Sequence, residues 1–351
     1  MKRKISILLV LCLAISMFAG CSKPAQAPAA KPAELPVLRV ATVSAICGLP
    51  IYYMREKGWD VENGFKIELN VFSLGAPLLE ALAADLWDVG CLGTGPTPLG
   101  VTTYDAVYIL DANSSSGGCD VFVRKDSPIA KATGGNAKYP TILGNAQTLK
   151  GTTMLTPLGS NMHLLGMLWI ENLGVDSADI NFVHMDQAQL LPAFDSGHGD
   201  FVALAPPFSF TARKTHVTAA TFEAMDVPQY DAMIANRKYY DSKRPLIEKF
   251  VAQYLRAGDE FGKDHELFVQ SLFAWQKSNA LNDNIDVTRA EAAERHVTTS
   301  EEAKTGRFGL TPRMVGQFLA GQGRMEKDLL PKLEANIKRD VLDAALKILG
   351  K

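Results

Sequence analysis

Basic excess, short-spaced metal motifs and internal repeats are all missing from this 351-residue chain. Lysine and arginine total 36 against 38 aspartates and glutamates, a formal charge of −2, which argues against nucleic acid as a partner. No CxxC or HExxH spacing occurs, so the usual zinc sites are excluded on pattern. Cysteine is scarce, five in all, and an odd number cannot be fully paired within one chain. The apolar run that opens the chain, Ile5 to Ala19, has 15 residues and falls short of the about 20 that a membrane-spanning helix needs.

What that run does have is the layout of an export signal. Lys2-Arg3-Lys4 precede it and the small residues Ala19-Gly20 close it before Cys21. The segment Phe18-Ala-Gly-Cys21 resembles the lipobox of bacterial lipoproteins, with Phe18 where Leu is usual. In such proteins the cysteine is acylated and becomes the first residue after cleavage. Residues 1–20 are therefore expected to be a signal peptide and 21–36 a lipid anchor and linker. The Pro/Ala-rich stretch Ser22 to Ala33 lacks large apolar residues and reads as a tether. Loss of Lys2, Arg3 and Lys4 moves the formal charge from −2 to −5. The remaining length exceeds what one core usually serves, so two lobes are expected.

From Val37 short apolar runs alternate with helix-like stretches, the pattern of an α/β fold in which helices cover a largely parallel sheet. Strands are expected at Leu38 to Val43, Phe65 to Phe72, Trp87 to Gly90 and Val107 to Leu110, with a crossover strand in Cys119 to Val123. A second unit begins near Leu149 and continues through a helix at Met162 to Asn172, a strand at Asp179 to His184, a helix at Ala188 to Phe194 and a strand at Gly199 to Leu204. Beyond Tyr230 the pattern reads as helical, with helices at Arg244 to Phe261, His265 to Lys277, Thr288 to His296, Thr311 to Ala320 and Leu329 to Leu349. Thr311 is expected to cap the fourth of these, with Pro312 in its first turn.

Four small-residue loops fall where strands feed helices: Thr42 to Gly48, Gly90 to Pro96, Ser114 to Cys119 and Thr156 to Asn161. In open α/β sheets ligands bind at such carboxyl ends, where helix N-termini present free N–H groups. Arginine and lysine are absent from all four, so an anionic ligand would need helix termini, hydroxyls or a base from elsewhere such as Arg213.

Here a family likeness enters. Gly48-Leu-Pro-Ile-Tyr-Tyr, Gly58, Gly64-Phe-Lys-Ile-Glu-Leu, Leu79-Glu-Ala-Leu-Ala, Trp87-Asp-Val-Gly90 and Gly93-Thr-Gly-Pro run in the order of the first lobe of one family. Leu149-Lys-Gly, Pro157-Leu-Gly-Ser160, Leu173-Gly174, Ala178-Asp-Ile, Ala193-Phe194, Gly199-Asp200 and Pro206-Pro207 do so for its second lobe. Over residues 37–260 the chain resembles the nitrate/sulfonate/taurine and thiamine-precursor family of ABC-transporter substrate-binding proteins. The resemblance implies a two-lobed, type II periplasmic-binding-protein-like fold, each lobe a βα sandwich, with a helical C-terminal layer. Residues 37–122 would begin lobe 1, 123–220 form lobe 2, and 221–351 return to lobe 1 and supply the C-terminal helices.

The same resemblance implies an extracytoplasmic receptor, held on the membrane through Cys21, that delivers a small organic solute (sulfonate, carboxylate or pyrimidine-like) to a permease with its ATPase. It implies a monomer without cofactor, nucleic-acid partner or catalysis. Carried over by position, the ligand-facing residues are Ser44, Cys47 and Gly48, then Thr94 and Gly95, then Ser116 and Gly117 near the hinge. The second lobe would add Gly159, Ser160, Asn161, Gln187, Pro207 and Phe208. Alternatives are an enzyme of the same fold, related to pyrimidine synthases or menaquinone-pathway lyases, or a ligand sensor. A soft-metal site from Cys47, Cys91, Cys119, His163 and His184 and a Cys47–Cys91 disulfide are further possibilities the residue types leave open.

Overall fold

The structure is a computed structural model that describes residues 34–305 and 307–351. The expected signal peptide and the expected lipidation site, Cys21, lie outside the described residues. No helix among those described is long and apolar enough to cross a membrane.

Residues Pro36–Lys351 form one compact unit built on two five-stranded sheets. The first sheet uses β1 (Val37–Val43), β2 (Lys66–Phe72), β3 (Val89–Leu92), β4 (Val107–Ser114) and β10 (Tyr230–Ala235), in the order β2-β1-β3-β10-β4. The second uses β5 (Asp120–Val123), β6 (Thr153–Thr156), β7 (Asn181–His184), β8 (Phe201–Leu204) and β9 (Val217–Thr221), in the order β7-β6-β8-β5-β9. The βα alternation in the sequence dictates the parallel pairs β1·β2, β1·β3, β6·β7 and β6·β8. Helices on both faces bury both sides of the inner strands, so all four residues of β3 and all six of β10 are buried. Each sheet also receives one strand from the far side of a crossover. β10 runs antiparallel between β3 and β4, and β5 runs antiparallel between β8 and β9. The two-lobed α/β fold expected from the sequence is present.

Several expectations need correction. The chain is not helical from Tyr230 onward: Tyr230–Ala235 is a central strand, and β9 was not anticipated. The third strand lies at Val89–Leu92 rather than Trp87 to Gly90, because Trp87 is packed away with its indole N–H on the carbonyl of Leu78 at 2.9 Å. The last helical stretch is two helices, Leu330–Ala335 and Asp340–Ile348, since Ile337 leaves the helix to bridge to Tyr108. Thr311 is not a cap; Gly309, at φ +68°, starts the helix Leu310–Gly321 and Thr311 is buried in its first turn.

The helix Arg244–Lys263 carries the C-terminal layer, burying Phe250, Val251, Tyr254 and Leu255 in the core of the first lobe. The helix Leu310–Gly321 is different, since its Val315 belongs to the apolar core of the second lobe.

Candidate functional site

The carboxyl ends of β1, β2 and β3 turn into segments whose Ser44-Ala45, Ser73-Leu74-Gly75, Gly93 and Pro96 form one wall of a cleft between the lobes. The opposite wall is Ser160 to Met162 at the start of the helix Asn161–Asn172, with Gln187, Ala205, Pro206 and Phe208. The cleft holds about 740 Å³, counted to its open mouth. Ser160 caps its helix by accepting the His163 N–H at 3.3 Å and donates its hydroxyl to the Pro157 carbonyl.

Two charged residues reach this cleft, Asp231 from β10 and Arg295 from the end of the helix Ile285–Glu294. Both are buried, at 2% and 5% exposure. Asp231 accepts from Asn113 Nδ2 at 3.0 Å and from Asn161 Nδ2 at 3.2 Å, and Arg295 Nη2 stands 3.6 Å away. Arg295 Nη1 donates to Glu291 at 3.2 Å, and Glu291 accepts from Gln276 at 2.7 Å. Burial pushes the carboxyls of Asp231 and Glu291 upward, and the Arg295 guanidinium opposes that shift at both. One guanidinium is thus shared by two carboxylates, while its Nε–H has no partner among the described residues. Gln187 is in a similar state: its Oε1 accepts from Ala205 N at 3.2 Å and its buried Nε2 has no partner among them. The cleft therefore carries two residues with buried, unused N–H donors, the arrangement that a solute with oxygen or ring-nitrogen acceptors would satisfy.

Of the residues expected to face ligand, Ser44, Ser160, Asn161, Gln187 and Phe208 line this cleft. Gly95 and Gly159, with Ser160, line a second chamber. Cys47 and Gly48 turn instead into the first lobe: Cys47 is fully buried beside Thr42 at 3.7 Å, and a Cβ on Gly48 would lie 2.5 Å from Trp275. Thr94 is a hinge staple whose hydroxyl donates to the Tyr230 carbonyl. Ser116 joins the two crossover segments, accepting the Gln229 N–H at 2.9 Å, and Gly117 gives room to Glu294. Pro207 is buried and lines neither space. Arg213 is committed elsewhere, holding both oxygens of Asp120 and of Glu294.

Sequence reasoning missed Asp231 and Arg295, together with Ser73 to Gly75. Asp231 did leave a signal, a carboxylate inside the apolar run Tyr-Asp-Ala-Met-Ile-Ala. Cys47, Cys91 and Cys119 are free and buried, so no Cys47–Cys91 disulfide is present. Burial pushes all three thiols up, that of Cys119 to about 12, which leaves them protonated and unreactive. Among the described residues no group of three or more His, Cys, Asp and Glu could hold a metal ion. His163 and His184 serve the turn before the helix, accepting through Nδ1 from the N–H groups of Gly159 at 3.2 Å and Leu158 at 3.1 Å.

The lobes meet across the cleft. Gly95 N–H donates to Asn161 Oδ1 at 2.6 Å, and a Cβ at Gly95 would come within 2.8 Å of the Ser160 backbone. Only glycine permits that approach.

Residues 31–266 match the model of the NMT1-like family. A protein of Brachyspira hyodysenteriae that carries a provisional name, ABC transporter periplasmic binding protein, is 31% identical over 344 residues, 98% of each chain. The alkanesulfonate-binding protein SsuA from Xanthomonas axonopodis pv. citri, solved with MOPS bound, aligns with a TM-score of 0.68 at 18% identity over 88% of this chain and 100% of its own. The periplasmic nitrate-binding protein NrtA from Synechocystis PCC 6803 aligns with a TM-score of 0.67 at 13% identity, covering 90% and 89%. At these identities the two structures share the fold.

Proposed function

We infer the function from one premise: this chain belongs to the NMT1-like family, and it is a substrate-binding protein of the ABC-transporter kind, as the resemblance in the sequence implied. It works outside the cytoplasm, captures a small organic solute between its lobes and passes it to a membrane permease with its ATPase. We propose that the solute is a sulfonate, carboxylate or pyrimidine-like compound, that Cys21 anchors the chain to the membrane by a lipid, and that the receptor acts as a monomer without chemistry on its cargo. We propose that lobe 2 runs from Asp120 through Met225, a little wider than the expected 123–220, that the chain before and after it builds lobe 1, and that the helix Leu310–Gly321 adds Val315 to the lobe 2 core.

The observation that carries the solute class is the pair of unpartnered buried donors, Arg295 Nε–H and Gln187 Nε2–H, on residues of the interlobe cleft. An acceptor-bearing solute would relieve ~1–3 kcal/mol of desolvation cost at each. The names of the Xanthomonas and Synechocystis proteins, for alkanesulfonate and nitrate, point the same way. Three thiols held protonated by burial favour binding over nucleophilic catalysis.

A thermal-shift screen of the full chain against sulfonates, aromatic carboxylates, pyrimidines, amino acids and Zn²⁺ tests this. A solute at 100 times its Kd adds ~2.7 kcal/mol of stability. One organic class should raise Tm, and Gln187→Ala should reduce the rise. A rise with Zn²⁺ alone would overturn the organic-solute reading.

A further inference from the structure

The Gly95–Asn161 contact separates the solute cleft from a second, larger chamber of about 1440 Å³, counted to its mouth. Its walls come from the first lobe (Leu79, Leu99), from the second lobe (Met167, Phe182) and from the segment after the helix Leu310–Gly321 (Met325). They are apolar, and Leu99 and Leu158 are among the large hydrophobic residues left exposed at 47% and 39%.

Into this apolar space the chain places one unused donor. His163 is 8% exposed and lines the chamber. Its Nδ1 accepts the Gly159 N–H at 3.2 Å, which puts the ring proton on Nε2, and Nε2 has no partner among the described residues. Phe182 fixes the ring by an edge-on contact at 5.1 Å. An unused N–H on a residue that lines apolar walls asks for an acceptor on a ligand that is otherwise apolar.

Two charged residues stand at the rim. Arg324 is exposed, lines the same chamber as His163 and makes only a 3.4 Å contact with Ser177 among its described side-chain partners. Glu80, from the helix Gly75–Ala83 of the first lobe, is exposed and lines the chamber as well. Arg324 stands on the second-lobe side, in contact with Ser177, and Glu80 on the first-lobe side.

We propose that this chamber is a second binding site, separate from the solute cleft, for an apolar organic acid whose carboxylate or sulfonate accepts from His163 Nε2–H and faces Arg324. Because both lobes build its walls, the site is complete only while the lobes meet as they do at Gly95 and Asn161. The proposal goes beyond the capture of solute in the cleft and does not depend on which solute the cleft takes.

The test is titration calorimetry of the full chain with naphthalene-2-sulfonate, in the parent and in three variants. Arg324→Glu, at an exposed position, should weaken binding at least tenfold. His163→Phe keeps the ring contact with Phe182, removes the donor, and should weaken binding about fivefold or more. Circular dichroism and Tm confirm that each variant is folded, and Arg324→Glu serves alone should the buried substitution fail to fold. No binding by the parent, or binding unchanged in Arg324→Glu, overturns the proposal. Binding lost in Gln187→Ala but kept in Arg324→Glu would put the probe in the cleft and also overturn it. A failure here leaves the thermal-shift response of the cleft to its own solute untouched, so the two readings are separable.

Discussion

Asn161 donates its side-chain N–H to Asp231 at 3.2 Å, joining the first turn of a second-lobe helix to the central strand β10 of the first lobe. The oxygen of the same amide takes the Gly95 N–H, so one side chain senses both the floor and the rim of the cleft. Hinge closure in two-lobed proteins needs such contacts that exist in one arrangement only.

Ser160→Ala combined with Asn161→Ala should therefore weaken solute binding without unfolding the protein. Hydrogen bonds to a charged group contribute ~1.5–3 kcal/mol, so affinity should fall about tenfold or more. The radius of gyration from small-angle scattering should rise as the lobes part. Unchanged affinity in calorimetry would remove these residues from the site.

Arg295 compensates two buried carboxylates, and its loss should be felt in stability as well as binding. Arg295→Met leaves Asp231 and Glu291 without their shared cation and should cost ~3–5 kcal/mol, as breaking buried pairs does. Adding Asp231→Asn and Glu291→Gln to the same chain should return part of that loss. Urea denaturation of the single and triple variants measures both effects; a triple variant no more stable than the single one would contradict the charge argument.

Stability should carry two opposed pH dependences. Burial raises the Asp111 carboxyl to about 6, so between about pH 4 and 6 the folded chain holds a proton that the unfolded chain has lost, and stability falls as pH rises through that window. Burial lowers the His163 imidazole to about 4, so the unfolded chain binds the extra proton below about pH 6.5 and stability falls as pH drops toward 4. Each amounts to ~3 kcal/mol at most. In denaturant titrations Asp111→Asn should become less stable toward pH 4, and His163→Phe should become more stable as pH falls from 6 to 4. Two variants with the same slope would show that Asp111 and His163 do not carry these opposed dependences.

Cys21→Ala should release the protein from membranes on fractionation. Variant that remains in the membrane fraction would count against lipidation at that cysteine.

Much of the fold was legible because its signal is local. Leu38 to Val43 and Phe65 to Phe72 read as strands from their apolar content, and the observed β1 and β2 agree within a residue. The loops after β1 and β3 and before the helix Asn161–Asn172 could be placed at strand ends by their Gly, Ser and Thr content, and each supplies residues to the cleft wall. β10 was not legible, because its neighbours β3 and β4 lie far back in the chain and a short apolar run does not say whether it is strand or helix. Cys47 and Gly48 show the limit in the other direction: they sit in the right loop, yet the turn Ile46–Gly48 faces them into Thr42 and Trp275.

By itself the sequence determined the family, the two-lobed α/β architecture and the segments from which a cleft would be built, since each follows from ordered motifs and apolar periodicity along the chain. Only the tertiary structure decided which charges stand in that cleft. Asp231 and Arg295 come from different elements, a crossover strand and the end of a C-terminal helix, and their partnership exists because the chain returns through the first sheet and packs its helical layer behind it. Spacing along a chain cannot encode a contact that forms only when two distant segments share one buried, low-dielectric space.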